Sequence, residues 1–196
     1  RELLSAIVRK VTHGAVSDLN RAKKWTIFLQ DKIVHPKSAP LLLNGQAVYD
    51  PIWILTNKVA HCGQTNRLIV DGLEILGIKG RVVQIKNHVI AEVFINGNPI
   101  ALDADLLDGG RFFLTSDGRI PSAQEIFENP KILDKLAGQV NTEYEFFGGV
   151  PRDRNYFYMM MRDHFSEKPF YYVKTAQEQN LDNEYYGWNY YKTIRD

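Results

Sequence analysis

The sequence predicts a fold that contains both α-helices and β-strands, and three observations lead to this prediction. Residues 1–34 carry apolar side chains at helical spacing, and so does the stretch that follows the single cysteine, Cys62. Residues 81–103 instead contain three short runs that are typical of strands. The last two runs are joined by Asn96-Gly97, a strong signal for a β-hairpin turn.

Three helices are predicted before the cysteine. The first covers residues 3–11, where apolar residues recur at helical spacing. Ser17 is a good N-cap for the second helix, whose apolar face continues to residue 33. Asp50-Pro51 combines an N-cap with a proline in the first turn and predicts a short third helix that reaches Val59.

The fourth helix begins at or near Cys62 and ends at Gly77, which favours a C-cap. The three strands follow at residues 81–86, 88–95 and 99–103. His88 therefore begins the second strand and Asp103 ends the third. Closure of the hairpin at its turn would place these two side chains nearly opposite each other, within reach of a hydrogen bond.

Length and charge restrict the classes of function. A chain of 196 residues corresponds to one ordinary domain, with a core predicted over residues 1–105 and an extension over residues 106–196 that packs on it. The formal net charge is +1 with both signs interspersed, which argues against a nucleic-acid partner. No apolar run is long enough for membrane insertion. The oligomeric state is left open.

The single cysteine and the N-terminus bear on the cellular compartment. One cysteine cannot form an internal disulfide, and the first residues do not have the pattern of a signal peptide. Both observations favour the cytoplasm. One cysteine and scattered histidines also predict no closed zinc site, so we expect no metal and no cofactor.

The order thiol, imidazole, carboxylate is what nucleophilic acyl chemistry needs. A free cysteine has a pKa of ~8.5, so its thiolate form must be favoured by its surroundings. The helix N-terminus would bring partial positive charge to Cys62, and protonated His88 would bring a full charge. Asp103 would accept the other imidazole N–H and fix the tautomer. The alternative for Cys62 is a buried structural thiol.

Other residues compete for these roles. His61 is a rival base, although adjacent residues on a helix point in different directions. Asp105 is a rival partner for the histidine, with Asp103 preferred because it ends an apolar run. The remaining histidines, at positions 13, 35 and 164, are predicted to lie on the surface. The backbone N–H of the cysteine would bind the oxyanion, with Gln46 or Trp53 as a candidate second donor.

These features together resemble the transglutaminase-like core, a branch of the papain-like cysteine peptidase fold. The likeness covers about residues 17–105. The residues that carry it are Cys62, Leu76-Gly77-Ile78, Arg81-Val82-Val83, His88, Ala91-Glu92-Val93 and Asp103. The chain departs from the family pattern at Ala60 and Ile90, where glycine and an aromatic residue are frequent, and it lacks a tryptophan in the strand before the aspartate.

The resemblance implies an α+β fold in which helices pack on a small antiparallel sheet and the thiol faces that sheet. It implies a thioester formed at a glutamine or peptide carbonyl of a protein or peptide substrate, then resolved by water or by an amine. Hydrolysis is favoured over cross-linking. No metal is required by this mechanism.

A second hypothesis keeps the fold without the activity. Aromatic residues are concentrated in residues 141–196, which argues against a disordered tail. They could form a peptide-binding or glycan-binding surface, because tyrosine and tryptophan are typical of binding hot spots. They could also pack over the core, or cover the groove and select acyl donors. The intact cysteine, histidine and aspartate favour the enzyme.

Overall fold

The structure is a computed structural model that describes residues 1–35, 42–43, 46–47, 50–107, 109–136 and 161–171. Within these ranges, three helices precede the cysteine: α1 (Glu2–Val11), α2 (Asp18–Lys32) and α3 (Pro51–Asn57). Both predicted N-caps are confirmed, because Ser17 Oγ accepts from the N–H of Asn20 at 3.2 Å and Asp50 Oδ1 accepts from the N–H of Trp53 at 2.7 Å.

The end of α3 differs from the prediction. The helix stops at Asn57 rather than at Val59, because Lys58 adopts a left-handed conformation with φ of 58°. Its N–H still donates to the carbonyl of Ile54, which satisfies one of the carbonyls left open at the helix end.

The fourth helix, α4 (Cys62–Ile75), is the centre of the fold. All its residues from Gly63 to Leu73 are buried, which is typical of a helix covered on several sides. It packs against α1 and α2 on one side and against the sheet on the other. Gly77 has φ of 81° and follows the helix, as the sequence predicts.

The main sheet has four antiparallel strands in the order β5-β4-β3-β6. The strands in chain order are β3 (Gly80–Ile85), β4 (His88–Ile95), β5 (Asn98–Leu102) and β6 (Phe170–Tyr171). The predicted hairpin is confirmed, with φ of 52° at Asn96 and 81° at Gly97. A separate two-stranded pair consists of β1 (Leu42–Leu43) and β2 (Gln46–Ala47).

The sheet is covered on both faces. One face contributes Val89, Ala91 and Val93 of β4 to a core shared with α1, α2 and α4. The other face contributes Val83 and Ile90 to a second core, which is completed by α5 (Ala123–Glu128), the 3₁₀-helix Pro130–Leu136 and residues 161–165. The predicted α+β class, with helices packed on a small antiparallel sheet, is therefore confirmed.

Two expectations are not tested by this architecture. The division into residues 1–105 and 106–196 stays a prediction. Most of the aromatic-rich segment, residues 141–160 and 172–196, lies outside the described residues, so its predicted roles also stay predictions.

Within the described ranges, none of the helices combines the length and apolarity needed to cross a membrane.

Candidate active site

Cys62 is the first residue of α4, as the sequence predicts, and its side chain is partly exposed. His61 is the N-cap, and its N–H donates to Oε1 of Gln64 at 2.8 Å, which is one half of a capping box. This arrangement fixes the start of the helix at the thiol. The positive end of the helix dipole therefore lies beside Cys62, where it favours a negative charge.

The structure brings His88 and Asp103 together in the interior of the protein. His88 Nε2 lies 2.8 Å from Asp103 Oδ2, and both side chains are buried. Cys62 Sγ lies within 4.8 Å of a ring nitrogen of the same imidazole. Because Nε2 is occupied by Asp103, Nδ1 is the ring nitrogen that remains for the thiol. One imidazole thus connects a buried carboxylate to a partly exposed thiol.

Asp103 is held by several donors besides His88. Its Oδ1 accepts from Asn66 Nδ2 at 3.1 Å and from the N–H of Asp105 at 2.8 Å. Gln30 Nε2 donates to its backbone carbonyl at 2.9 Å. These contacts hold the Asp103 carboxylate in place against His88. A carboxylate with this many donors is stabilised in its ionised form.

The charges of the pair follow from these contacts. Burial alone would lower the pKa of His88, but the charge and hydrogen bond of Asp103, with a smaller contribution from Cys62, raise it well above 6.5. Burial alone would raise the pKa of Asp103, but His88, the N–H of Asp105 and Asn66 lower it. The pair is therefore an imidazolium and a carboxylate at neutral pH.

The rival residues lie close by but have other partners. The partner of His88 Nε2 is Asp103 Oδ2, whereas Oδ1 of Asp105 lies 2.7 Å from Nδ1 of His35. His61 is the N-cap of α4, and its ring makes an edge contact with that of His35, with centroids 4.9 Å apart. The carboxylate that contacts His88 is thus Asp103, the residue preferred from the sequence.

Two of the three histidines predicted to lie on the surface do not lie there, and that prediction is wrong for them. His35 contacts buried Asp105, and only 11% of its side chain is exposed. His164 is buried and stacks on His88, with ring centroids 5.2 Å apart. Only His13 is exposed as predicted. Both errors have the same cause, since each partner is distant in sequence.

His164 brings residues of the second half of the chain to the site. Its Nδ1 contacts the backbone carbonyl of Lys86, and its own carbonyl accepts from the N–H of Lys86 at 3.0 Å. Burial, and next the charge of His88, lower the pKa of His164 to about 4. It is therefore neutral at neutral pH and packs against the charged imidazole without repelling it.

Replacing His164 with phenylalanine is expected to flatten the acid side of the pH–stability profile. The folded pKa of about 4 lies below the ordinary 6.5, so the unfolded chain binds more protons between these values. The contribution of neutral His164 to the free energy of unfolding is complete above about pH 6.5. This contribution is lost as the pH falls through about 4, and the loss reaches up to about 3 kcal/mol. Urea unfolding of both proteins across this range measures the difference.

The matched control for that prediction is His13→Phe, which changes an exposed histidine to the same residue. Its profile should run parallel to that of the unmodified protein. A His164→Phe profile that also runs parallel would contradict the prediction.

The candidate second donors for an oxyanion remain predictions. Gln46 lies in β2, but its side chain is outside the described part of the structure. Trp53 lies in α3 and packs, partly buried, on the first core. The backbone N–H of Trp53 is already donated to Asp50, so only its indole N–H would be available. The N–H of Cys62 keeps its predicted role as first donor, since the first turn of a helix leaves such groups unpaired within the helix.

Three side chains of types that can bind a metal come together at this site. Cys62 Sγ, a ring nitrogen of His88 and a carboxylate oxygen of Asp105 all lie within 4.8 Å of one another. Sequence reasoning considered Asp105 only as an alternative to Asp103. In the structure both carboxylates lie near His88: Asp103 bonds its Nε2, and a carboxylate oxygen of Asp105 lies within 4.8 Å of a ring nitrogen.

No protein-family model matches this chain, and no curated protein matches it. Three solved structures are similar over 53% of it. They are a “putative protease” from Parabacteroides distasonis ATCC 8503 (11% identity, TM-score 0.44), a “putative cysteine protease” from Cytophaga hutchinsonii (15%, 0.45) and a “TGase” (13%, 0.43). The similarity spans 23%, 37% and 32% of those chains respectively.

The described residues have the order of helix and strands that the sequence analysis predicts around the three side chains. A buried helix begins at Cys62 and packs on antiparallel strands, of which one begins at His88 and the next leads into Asp103. What this site does chemically is argued below from its own side chains.

Proposed function

We propose that this protein is a transglutaminase-like cysteine enzyme that forms a thioester at an amide or peptide carbonyl, with Cys62 as nucleophile. The observation that carries the proposal is the position of His88, which is buried between the ionised Asp103 and the partly exposed thiol at a helix N-terminus. A structural thiol needs neither a charged imidazole nor a carboxylate behind that imidazole.

Each side chain has a defined part in the proposed reaction. The Cys62 thiolate attacks the carbonyl carbon, and the oxygen that becomes negative faces the N–H groups at the start of α4. His88 then gives its Nδ1 proton to the leaving amine, which departs and leaves a thioester on Cys62. Asp103 keeps the other nitrogen protonated and stabilises the imidazolium throughout.

The second half of the reaction resolves the thioester. His88, now neutral, accepts a proton from an incoming water or amine, which attacks the carbonyl and releases Cys62. We propose water as the usual nucleophile and a protein or peptide as the substrate, as the resemblance implies. Asp103 remains charged in both halves, since its other donors stay in place.

The first test is the pH dependence of iodoacetamide alkylation, followed by intact mass. Because Cys62 is the single cysteine, a mass increase of one adduct reports this thiol alone. We expect rapid alkylation at about pH 6, where an ordinary thiol is almost entirely protonated. Alkylation only at alkaline pH would contradict the proposal and would favour a binding domain that has kept the fold.

The second test identifies the reaction. A mixture of casein peptides is incubated with the enzyme, with a primary amine present or absent, and analysed by mass spectrometry. New peptide ends indicate peptide hydrolysis, deamidated glutamine indicates amide hydrolysis, and amine-labelled glutamine indicates transfer to an amine. Cys62→Ala is the matched control, and a product that persists in this variant would contradict a role of the thiol.

A further inference from the structure

A carboxylate that the proposed reaction does not use lies beside its nucleophile. Only 2% of the Asp105 side chain is exposed, and one of its carboxylate oxygens lies within 4.8 Å of both Cys62 Sγ and a ring nitrogen of His88. Three different types of donor atom therefore lie close together. A carboxylate next to a thiolate is repulsive unless a positive charge lies between them.

His88 is oriented for a ligand at this point. Its Nε2 is bonded to Asp103 Oδ2 at 2.8 Å, so the lone pair of neutral His88 is on Nδ1, toward the thiol. A histidine that donates its other N–H to a carboxylate is the usual arrangement behind a metal-bound imidazole, because the carboxylate fixes the ring and strengthens the ligand. The same contact that serves the proposed reaction thus prepares a metal ligand.

Asp105 is oriented in the same way. Its Oδ1 lies 2.7 Å from Nδ1 of His35, and its N–H donates to Asp103 Oδ1 at 2.8 Å. These contacts hold the side chain in place, with a carboxylate oxygen close to Cys62 Sγ. Each of the two buried ligands, His88 and Asp105, therefore has its own outer partner, which reduces the entropy lost when an ion binds.

The donor set selects the kind of ion. A thiolate and an imidazole suit Zn²⁺, whereas Mg²⁺ and Ca²⁺ prefer oxygen ligands alone. Zn²⁺ binds such donors at roughly 2.0–2.3 Å, so the three groups need to approach one another by only about 1 Å. One thiolate and one carboxylate balance the charge of the ion. The partial exposure of Cys62 provides access from solvent.

We propose that Cys62, His88 and Asp105 bind a zinc ion reversibly, with a water molecule as the fourth ligand. Binding removes the proton from the thiol and imidazole pair and releases it to solvent. Because the ion occupies the thiolate and Nδ1, it blocks the attacking atom and the proton donor together. The binding site stands on its own geometry, whereas its effect as an inhibitor rests on the proposed function.

The test uses the full chain, freed of metal by a chelator, and Co²⁺ as a spectroscopic probe for the zinc site. We expect one equivalent of Co²⁺ to give a near-ultraviolet thiolate-to-cobalt charge-transfer band, and Zn²⁺ to abolish it by displacement. Zn²⁺ should also protect Cys62 from iodoacetamide, and EDTA should restore alkylation. Asp105→Asn is expected to raise the Kd for Zn²⁺ by more than about 100-fold, since a direct ligand contributes more than an outer partner.

Two controls make the result specific. His13→Asn changes an exposed histidine and should leave the Kd for Zn²⁺ unchanged. The unmutated protein with Cys62 capped as a methyl disulfide should lose the cobalt band, and this control does not depend on the folding of any variant.

The outcomes separate this inference from the proposed function. Absence of the charge-transfer band in the uncapped protein overturns the metal site, as does an unchanged Kd in folded Asp105→Asn. If alkylation at about pH 6 is still rapid in that case, the proposed enzyme stands without the metal site. A cobalt band together with an unreactive thiol would support the metal site and contradict the enzyme.

Discussion

His88→Ala is expected to slow the acylation of Cys62 by about 10³–10⁴-fold at about pH 7, one of the two largest effects we predict. The variant loses the positive charge that stabilises the thiolate and also the proton donor for the leaving group. The buried carboxylate of Asp103 keeps its bonds to Asn66 and to the N–H groups of Asp105 and Leu106, so the loop that carries it should remain in place.

The rate is measured as release of p-nitrophenol from p-nitrophenyl acetate, with intact mass to count acetyl groups on Cys62. His13→Ala is the matched control, because it removes an exposed histidine and should react at the unmodified rate. His88→Gln provides a second variant whose amide can still donate to Asp103. A rate within about tenfold of the unmodified protein in both folded His88 variants would contradict a role for His88 in activating the thiolate of Cys62.

Asp103→Asn separates the charge of the carboxylate from its position. The charge of Asp103 keeps the pKa of His88 well above 6.5 against the opposing effect of burial. Without that charge the pKa of His88 falls, so the imidazolium is lost at lower pH. We therefore expect the alkaline side of the acylation profile to move to lower pH in this variant. An unmoved profile would mean that the carboxylate only orients the ring.

Much of the site could be predicted because its parts are close in sequence. His88 and Asp103 are connected by a single hairpin that closes at Asn96-Gly97. Its register, extended from Ala91 opposite Leu102, places Asp103 two positions from the residue opposite His88, which is near enough for the two side chains to meet. The start of α4 is likewise local, since a cap and the first turn lie within a few residues of Cys62. Local chemistry therefore determined the positions of three side chains.

Asn66 also carried a local signal that went unused. It lies four residues after Cys62 on the same helix, so the two side chains share one face. The side chain of Asn66 bonds the carbonyl of Val89, the carboxylate of Asp103 and the N–H of Ala104, which ties the helix to both strands of the hairpin. An asparagine on the helix face that carries the nucleophile predicts a polar partner on the facing sheet, because buried polar groups are hydrogen-bonded.

The remaining residues could not be predicted because their contacts depend on long-range packing. His164 reaches His88 only because residues 161–165 cover the second face of the sheet, where Phe165 contacts Phe113. His35 reaches Asp105 across 70 positions of the chain. No turn, cap or periodic pattern connects these pairs, and an isolated histidine in a sequence is equally compatible with surface and interior.

Gly72→Ala is expected to lower the free energy of unfolding by about 2–3 kcal/mol, although alanine normally favours a helix over glycine by about 1 kcal/mol. A Cβ at this position would lie 2.3 Å from Nε1 of Trp25, which is fully buried. The indole N–H donates to the carbonyl of Leu68 at 3.0 Å. Any shift of the ring that admits a methyl group also strains this hydrogen bond between α2 and α4.

Urea unfolding of four proteins tests the reason as well as the size of the effect: the unmodified chain, Gly72→Ala, Trp25→Phe and the double variant. Phenylalanine lacks the indole nitrogen and fused ring that the new methyl group would meet. In the Trp25→Phe background, Gly72→Ala should therefore cost little or even stabilise the helix by up to about 1 kcal/mol. The coupling free energy between the two positions is then about 3 kcal/mol, in the range measured for residues in direct contact. Additive effects would contradict the close approach of Trp25 to Gly72, because a clash that depends on one partner must disappear when that partner is made smaller.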